Sequence, residues 1–312
     1  MPGRTFEVAP GITAIDTGMG GRTKLTASYL IHAERPALVE SGPSSCGPTL
    51  LEELARLGIG AQDLAHVVVS HIHLDHAGGA GKLLGSFPGA TVWVHERGAK
   101  HLAEPERLVA STVRTYGAAK VAELFGPVEA VPPERLRTLT EGAVIDLGDR
   151  TLTCLDAPGH ASHELFLLDS ASGALFTGDG FGVSLPDVGV LRPATPPPEF
   201  DLELAVASIQ RACALRPSMW VFSHFGALTD IEATCDLAVE RLRAWTDIVR
   251  EALARGVPQE AVPAVLRAAT ADETRAALAA GLDVGRYEFL SSYEMNAAGI
   301  VRYLAKGGGT TG

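Results

Sequence analysis

The chain places three histidines and an aspartate within six residues, in the stretch SHIHLDHAGG that begins at Ser70. This polar cluster follows the short apolar run Val67–Val69, at the point where a buried strand would end. Imidazole and carboxylate groups bind divalent metal ions, whereas a core without such an ion would reject four of them together. The sequence therefore predicts a metal site with the ligands His71, His73, Asp75 and His76.

Three further polar residues occur at similar places later in the chain. His160 follows a Pro-Gly pair, Asp179 closes the run FTGD, and His224 follows the run MWVFS. Residues at strand ends meet in the loops along one edge of an α/β sheet, where sites are commonly built. We therefore expect these three residues to join the first four.

Seven ligands are too many for one tetrahedral ion, but they suit two ions. His71 and His73 point the same way in an extended run, whereas Asp75 and His76 lie beyond a turn and can face a second ion. Two ions about 3.5–4 Å apart would share a hydroxide and clamp a tetrahedral transition state. No cysteine stands beside these ligands, so a structural zinc site is not expected. Zinc is the favoured ion, with iron and manganese as alternatives.

Short strands must deliver these residues, and the chain alternates apolar strand patterns with helical ones. Residues 96–135 have a helical pattern, which predicts a helical insertion between two strand-rich parts. Strands return between residues 137 and 179, and a Pro-rich loop is expected over residues 185–200. Beyond Asp230 the pattern is almost wholly helical.

The composition is that of a globular protein, with 46% hydrophobic and 20% charged residues in a chain of 312. No apolar run reaches the roughly 18 residues of a membrane span. The first residues lack the apolar stretch of a signal peptide, so we expect a cytoplasmic location and no membrane partner. The net charge of −11 argues against nucleic acid as a partner.

The four cysteines are far apart in the chain and form no C-x-x-C pair. In a cytoplasmic protein they are expected to be reduced and mostly buried. Free cysteine commonly packs as a small core residue, so no role is assigned to Cys46, Cys154, Cys213 or Cys235.

The motifs HIHLDH, PGH, TGD and SHFG, in this order, resemble those of the metallo-β-lactamase-fold hydrolases over about residues 6–230. The resemblance implies an α/β fold, a four-layer αββα sandwich with the site at one edge. We therefore expect a catalytic domain over residues 1–230, which carries the helical insertion at about 96–135. A helical C-terminal extension over residues 231–312 is expected to pack on it.

The resemblance also implies how the ligands are shared between two ions. One ion would be held by His71, His73 and His160, the other by Asp75, His76 and His224, and Asp179 would bridge both. Asp75 would be a ligand first and would also shuttle a proton during catalysis.

Four further residues are candidates near the ligands. Glu40 stands where the family usually has an aspartate that supports a ligand histidine; it either takes that role or is an ordinary strand-end residue. His163, in GHASH, either orients a ligand or is an exposed turn residue. Arg114 and Tyr116 are candidates for anchoring an anionic substrate, against the alternative of a surface arginine and a packing tyrosine.

The resemblance is closest to the glyoxalase II-like and lactonase-like branch, which cleaves thioesters and cyclic esters. It implies a metal-dependent hydrolase in which a bridging hydroxide attacks a small ester, thioester or lactone. Gly182 stands where lactonases often carry a tyrosine, and residues 288–306 have no clear basic cluster for glutathione. Asp179 argues against the cysteine-bearing zinc β-lactamases, and His73 against the oxygen-reducing diiron branch.

Three alternatives to this hydrolase stay open. They are a mononuclear iron dioxygenase acting on persulfides, a phosphodiesterase or nuclease, and a metal-binding module without enzymatic activity. The partner expected for the enzyme is a small-molecule substrate. The C-terminal helices are candidates for a lid or a dimer surface, so a homodimer is left open.

Overall fold

The computed structural model of the protein describes residues 4–308. The backbone packs into two compact units: unit 1 is Met1–Asp156 with Leu165–Phe176, and unit 2 is Ala157–Glu164 with Thr177–Gly312. Strands and helices alternate along the chain, so the predicted α/β class is confirmed. Among residues 4–308, none of the helices combines the length and the apolar character that crossing a bilayer requires.

Unit 1 begins with seven strands that form one sheet in chain order. They are β1 (Thr5–Ala9), β2 (Ile12–Asp16), β3 (Ala27–Ile31), β4 (Ala37–Val39), β5 (His66–Val68), β6 (Thr91–His95) and β7 (Leu136–Leu139). Strands β1 to β4 pair antiparallel, whereas β4 to β7 pair parallel. Val39 lies opposite Val68, so the residues that follow β4 and β5 leave the sheet at the same edge.

Six helices of unit 1 lie between these strands. They are α1 (Gly47–Arg56), α2 (Leu74–Ala77), α3 (Ala80–Ser86), α4 (Glu96–Ala103), α5 (Glu106–Tyr116) and α6 (Ala118–Leu124). Leu50 and Leu54 lie one turn apart on α1 and are fully buried in the core that also contains Val67 and Val92. Burial of each leucine contributes about 1.5–3 kcal/mol. Helices α4 to α6 confirm the helical pattern predicted for the insertion.

A second set of strands in unit 1 confirms that strands return after the insertion. These strands are β8 (Val144–Asp146), β9 (Thr151–Asp156), β10 (Leu165–Asp169) and β11 (Ala174–Phe176). Successive strands pair antiparallel, so that Leu167 of β10 lies opposite Cys154 of β9 and Phe176 of β11.

Up to residue 308, unit 2 contains two hairpins and six α-helices. The hairpins join β12 (Val183–Leu185) to β13 (Val190–Arg192) and β14 (Met219–Val221) to β15 (Ala227–Leu228). The helices are α7 (Leu202–Ala214), α8 (Ile231–Ala254), α9 (Val262–Ala269), α10 (Ala271–Ala279), α11 (Tyr287–Leu290) and α12 (Tyr293–Ala305). The β12–β13 hairpin shows that the prediction of a loop over residues 185–200 is wrong in part. The sequence did not reveal the hairpin, because its strands are too short to show an alternation of apolar and polar residues beside proline and glycine.

Cys213 and Cys235 form a disulfide with their Cα atoms 6.3 Å apart, so the prediction of four reduced thiols is wrong for this pair. Cys213 lies on α7 and Cys235 on α8, and packing of these helices brings together two residues separated by 22 positions. The other two cysteines are free and buried, as expected. The cytoplasmic location stays a prediction. The disulfide does not support it, because disulfides are rare in that compartment.

Helix α3 contains two glycines in opposite surroundings. A Cβ atom on Gly81 would lie 2.2 Å from the carbonyl oxygen of Glu129, whereas one on Gly85 would meet nothing within 4 Å. We expect Gly81→Ala to lower the free energy of unfolding by about 1–3 kcal/mol, because the backbones must move apart. Gly85→Ala should raise it by about 0.5–1 kcal/mol through better helix propensity. Urea unfolding measures both, and equal effects would contradict the close packing of α3.

Candidate metal centre

Strands β4 and β5 end side by side in unit 1, and each is followed by a buried polar residue. Glu40 follows β4 and His71 follows β5, and both side chains are inaccessible to solvent. Glu40 has a left-handed φ of +65°, which destabilises a non-glycine residue by roughly 1–2 kcal/mol. Its carboxylate offsets this strain, since Oε2 accepts a hydrogen bond from the N–H of Ser70 at 3.2 Å and Oε1 lies 3.2 Å from Nδ1 of His76.

The imidazole rings of His71 and His73 converge after β5. Nε2 of His71 lies 2.9 Å from Nδ1 of His73, and Nδ1 of His71 lies 2.9 Å from the Ser70 hydroxyl. Strand β5 ends at Val68, and the backbone then bends towards α2. The bend still brings the two rings together, and two adjacent imidazole nitrogens suit a divalent ion.

Helix α2 presents the two remaining ligands predicted in unit 1. Asp75 and His76 lie in its single turn, with Oδ2 of Asp75 3.7 Å from Nε2 of His76. The ring centroids of His71 and His76 are 4.0 Å apart. We expected Asp75 and His76 to lie beyond a turn, but they lie within this one-turn helix, which sets both side chains beside the histidine pair. Unit 1 therefore gathers all four of its predicted ligands.

Unit 2 contains the other three predicted ligands, with an imidazole on either side of one carboxylate. Oδ2 of Asp179 lies 3.7 Å from Nε2 of His160, and Oδ1 lies 3.2 Å from Nε2 of His224. All three side chains are buried. The Asp179 carboxylate thus faces both imidazoles and supplies the negative charge that bound cations need.

Contacts behind these predicted ligands fix the orientation of their side chains. Nδ1 of His160 donates to the carbonyl oxygen of Ala194 at 2.9 Å, so Nε2 is the nitrogen that faces Asp179. The backbone N–H of Asp179 donates to Oε1 of Glu164 at 3.0 Å. Glu164 was not among the residues predicted from the sequence. The one signal that could have indicated it is its position just before the apolar run Leu165–Leu168.

The other candidate residues lie in different surroundings. His163 is buried, with Nε2 3.8 Å from Oε2 of Glu199. Arg114 is exposed near the end of α5. Tyr116 packs edge-on against Phe125, with ring centroids 5.9 Å apart, so its contact lies within the helical insertion. Roles for these residues in substrate binding stay predictions.

Residues 15–224 match the family model of the metallo-beta-lactamase superfamily. The match covers more than half of the chain and includes all seven predicted ligands. The chain belongs to this superfamily. The resemblance noted in the motifs is thereby confirmed.

Relatives within the superfamily match part of the chain. The metallo-beta-lactamase fold-containing protein ST1585 of Sulfurisphaera tokodaii is 28% identical over 170 residues, which are 53% of this chain and 62% of that protein. The acyl-coenzyme A thioesterase MBLAC2 of Bos taurus is 33% identical over 177 residues, which are 53% of this chain and 52% of the thioesterase. The chain thus spans between half and two thirds of the lengths of these relatives.

Solved structures show the likeness over a longer range. The metallo-beta-lactamase family protein TTHA1429 from Thermus thermophilus aligns with a TM-score of 0.65 at 21% identity, covering 97% of this chain and 95% of that one. ST1585 aligns with a TM-score of 0.61 at 24% identity, covering 75% and 86%. At such identities the likeness concerns the fold alone, and it confirms the predicted metallo-β-lactamase fold.

The chemistry of the donor groups fits divalent metal ions. Both units offer imidazoles and carboxylates, which accept zinc, iron and manganese alike. Burial raises the pKa of the Cys46 thiol and raises that of Cys154 to about 12. Within residues 4–308, the groups of donors close enough to share an ion contain no cysteine, which is the usual ligand of structural zinc sites. The identity of the ion stays a prediction.

Proposed function

We propose that this superfamily member is a metal-dependent hydrolase that cleaves a small ester, thioester or lactone, with a thioester as the favoured substrate. The observation that carries the proposal is the clustering of buried imidazoles with carboxylates in each unit, in a donor set without thiolates. The likeness to the acyl-coenzyme A thioesterase MBLAC2 over about half of the chain supports the thioester.

We further propose that the seven donors bind a pair of metal ions. Seven donors exceed the needs of a single tetrahedral ion. The segment that matches the superfamily, residues 15–224, contains both sets. When bound, such a pair of ions supplies a hydroxide at neutral pH and polarises the substrate carbonyl.

The protein's own residues hold the donors in place and move the proton. Glu40 and the carbonyl of Ala194 contact the Nδ1 atoms of His76 and His160, which fixes the orientation of these rings. Asp75 has a side chain that is 21% exposed, whereas that of His76 beside it is 1% exposed. We therefore assign to the Asp75 carboxylate the transfer of a proton from the attacking water to the leaving group.

A substrate panel tests this function. The metal-loaded protein is incubated with an acyl-coenzyme A thioester, an acyl ester, a lactone and bis(p-nitrophenyl) phosphate. We expect release of thiol or acid from at least one of the first three, at about 1–1000 per second. Cleavage of the phosphodiester alone would indicate a phosphodiesterase or nuclease. Oxygen uptake with glutathione persulfide and one iron per chain would indicate a dioxygenase, and either outcome overturns the proposal.

Glu40→Gln is expected to weaken metal binding by about 10–100-fold. An amide accepts through one oxygen only, so it cannot serve both the imidazole of His76 and the N–H of Ser70. The matched control is Glu53→Gln, because Glu53 is a buried carboxylate of α1 that pairs with Arg56 at 2.9 Å. Chelator competition measures the affinities. Wild-type affinity in Glu40→Gln would remove Glu40 from this role.

The remaining expectations stay predictions. They concern the division into a catalytic domain and a C-terminal extension, a homodimer, and the cytoplasmic location. We also expect that neither nucleic acid nor a membrane is a partner. A small-molecule substrate follows from the proposed reaction.

A further inference from the structure

The segment of residues 192–196 is held by the last helix of unit 2. Oδ1 of Asn296 on α12 accepts hydrogen bonds from both N and Oγ1 of Thr195, each at 2.7 Å. Asn296 is 1% exposed, and its Nδ2 donates to the Ser291 hydroxyl at 2.7 Å. That hydroxyl in turn donates to the carbonyl of Pro193. A shift of the 192–196 segment would therefore break buried hydrogen bonds, which is costly.

Helix α12 also lies directly against this segment. A Cβ atom on Gly299 would lie 1.8 Å from the carbonyl oxygen of Thr195, so only glycine fits at this point of the helix. Asn296 and Gly299 are three residues apart and share one face of α12. This face therefore fixes the segment both by hydrogen bonds and by close backbone contact.

The residue between the fixed positions contacts a predicted metal ligand. Ala194 lies between Pro193 and Thr195, and its carbonyl oxygen accepts the hydrogen bond from Nδ1 of His160. The direction of this carbonyl determines how the imidazole of His160 is turned. A displacement of the segment by α12 would thus reach Nε2 of His160, which faces Asp179.

We propose that α12 positions the metal ligand His160 through the 192–196 segment, with Asn296 and Gly299 as the positioning residues. The inference rests on the proposed metal-binding function, because His160 must be a ligand for its orientation to matter. Partners behind ligating histidines fix the tautomer and the ring orientation, and their loss weakens metal binding. The C-terminal helices would therefore act on the metal centre through the backbone of one short segment.

The test compares wild type, Asn296→Ala and Gly299→Ala, each loaded with Co²⁺. Chelator competition gives the affinity, visible absorption reports the geometry around Co²⁺, and urea unfolding gives the stability. We expect both variants to bind Co²⁺ about 10–100-fold more weakly and to show an altered absorption spectrum. The matched control is Tyr303→Phe, which removes a hydrogen bond from the same helix to Glu203. It should lose stability but keep the wild-type affinity and spectrum.

A second set of variants separates positioning from general damage. In a His160→Ala background, Asn296→Ala should weaken Co²⁺ binding no further, because the ring through which it acts is gone. Should Asn296→Ala fail to fold, Thr195→Val removes only the hydroxyl contact to Asn296 and should weaken binding several-fold.

The outcomes distinguish the inference from the function on which it rests. Wild-type affinity in both α12 variants, or equal weakening in Tyr303→Phe, overturns the inference alone. The inference is also overturned if Asn296→Ala weakens Co²⁺ binding in the His160→Ala background as much as it does in the wild type. Failure of the wild-type protein to bind Co²⁺ would instead overturn the proposed function, and the inference with it.

Discussion

Asp179→Ala is expected to lower kcat for the proposed thioester hydrolysis by about 1000-fold or more, because several kcal/mol of charge stabilisation would be lost with the proposed metal ions. The Asp179 carboxylate lies 3.7 Å from the imidazole of His160 and 3.2 Å from that of His224. Its removal leaves two imidazoles without the negative charge between them. Thiol release measures kcat, and elemental analysis of the same preparation should show metal falling from about two ions per chain to about one or fewer.

The matched control for this variant is Asp236→Ala. Asp236 is an exposed aspartate on α8, so its loss should leave both kcat and metal content at wild-type values. An Asp179→Ala protein that kept its full metal content and its kcat would contradict the role assigned to this carboxylate.

Arg192→Met is expected to lower the free energy of unfolding by about 2–4 kcal/mol. Arg192 is 3% exposed, and its guanidinium lies 4.4 Å from the ring centre of Tyr293 and 4.9 Å from that of Tyr287. Nη1 donates to Oε1 of Glu288 at 2.8 Å. Methionine fills much of the volume but leaves Glu288 without its buried cation. Urea unfolding measures the loss.

Arg267→Met is the control, because Arg267 contacts two of these partners, Tyr293 and Glu288, from the exposed side. Its guanidinium lies 4.7 Å from the Tyr293 ring centre and 3.4 Å from Oε2 of Glu288, but its side chain is 51% exposed. Exposed pairs contribute about 0–1 kcal/mol, so this variant should stay close to wild type. Equal losses in the two variants would show that burial of Arg192 does not account for its contribution.

The alternation of strands and helices, and the placement of polar residues after strands, could be anticipated from local patterns, whereas the metallo-β-lactamase fold was anticipated from the resemblance of the motifs. A dense run such as HIHLDH directly after an apolar strand has few uses besides metal binding, and Asp179 and His224 also follow apolar strands. Strand ends place such residues along one edge of a sheet, which is a rule of topology that needs no side-chain detail. The one-turn helix α2 escaped prediction because four residues are too few to show a helical period.

The residues behind the ligands could not be anticipated in the same way. Asn296 and Thr195 are 101 positions apart and meet only because α12 packs on that segment. Cys213 and Cys235 likewise meet only through the packing of α7 and α8. Glu40 showed a departure from the family pattern, but its contact with His76 depends on the left-handed backbone at that residue. Such contacts follow from tertiary packing, which spacing along the chain does not reveal.

Titration of the metal-free protein with Zn²⁺, with thiol release from an acyl-coenzyme A thioester followed at each step, tests the central claim most directly. The proposed dinuclear hydrolase predicts no hydrolysis without metal and a rate that rises until about two equivalents of Zn²⁺ per chain are bound. Hydrolysis by the metal-free protein would contradict a metal-dependent reaction. A hydrolysis rate that reaches its maximum at one equivalent of Zn²⁺ per chain would contradict the paired metal site.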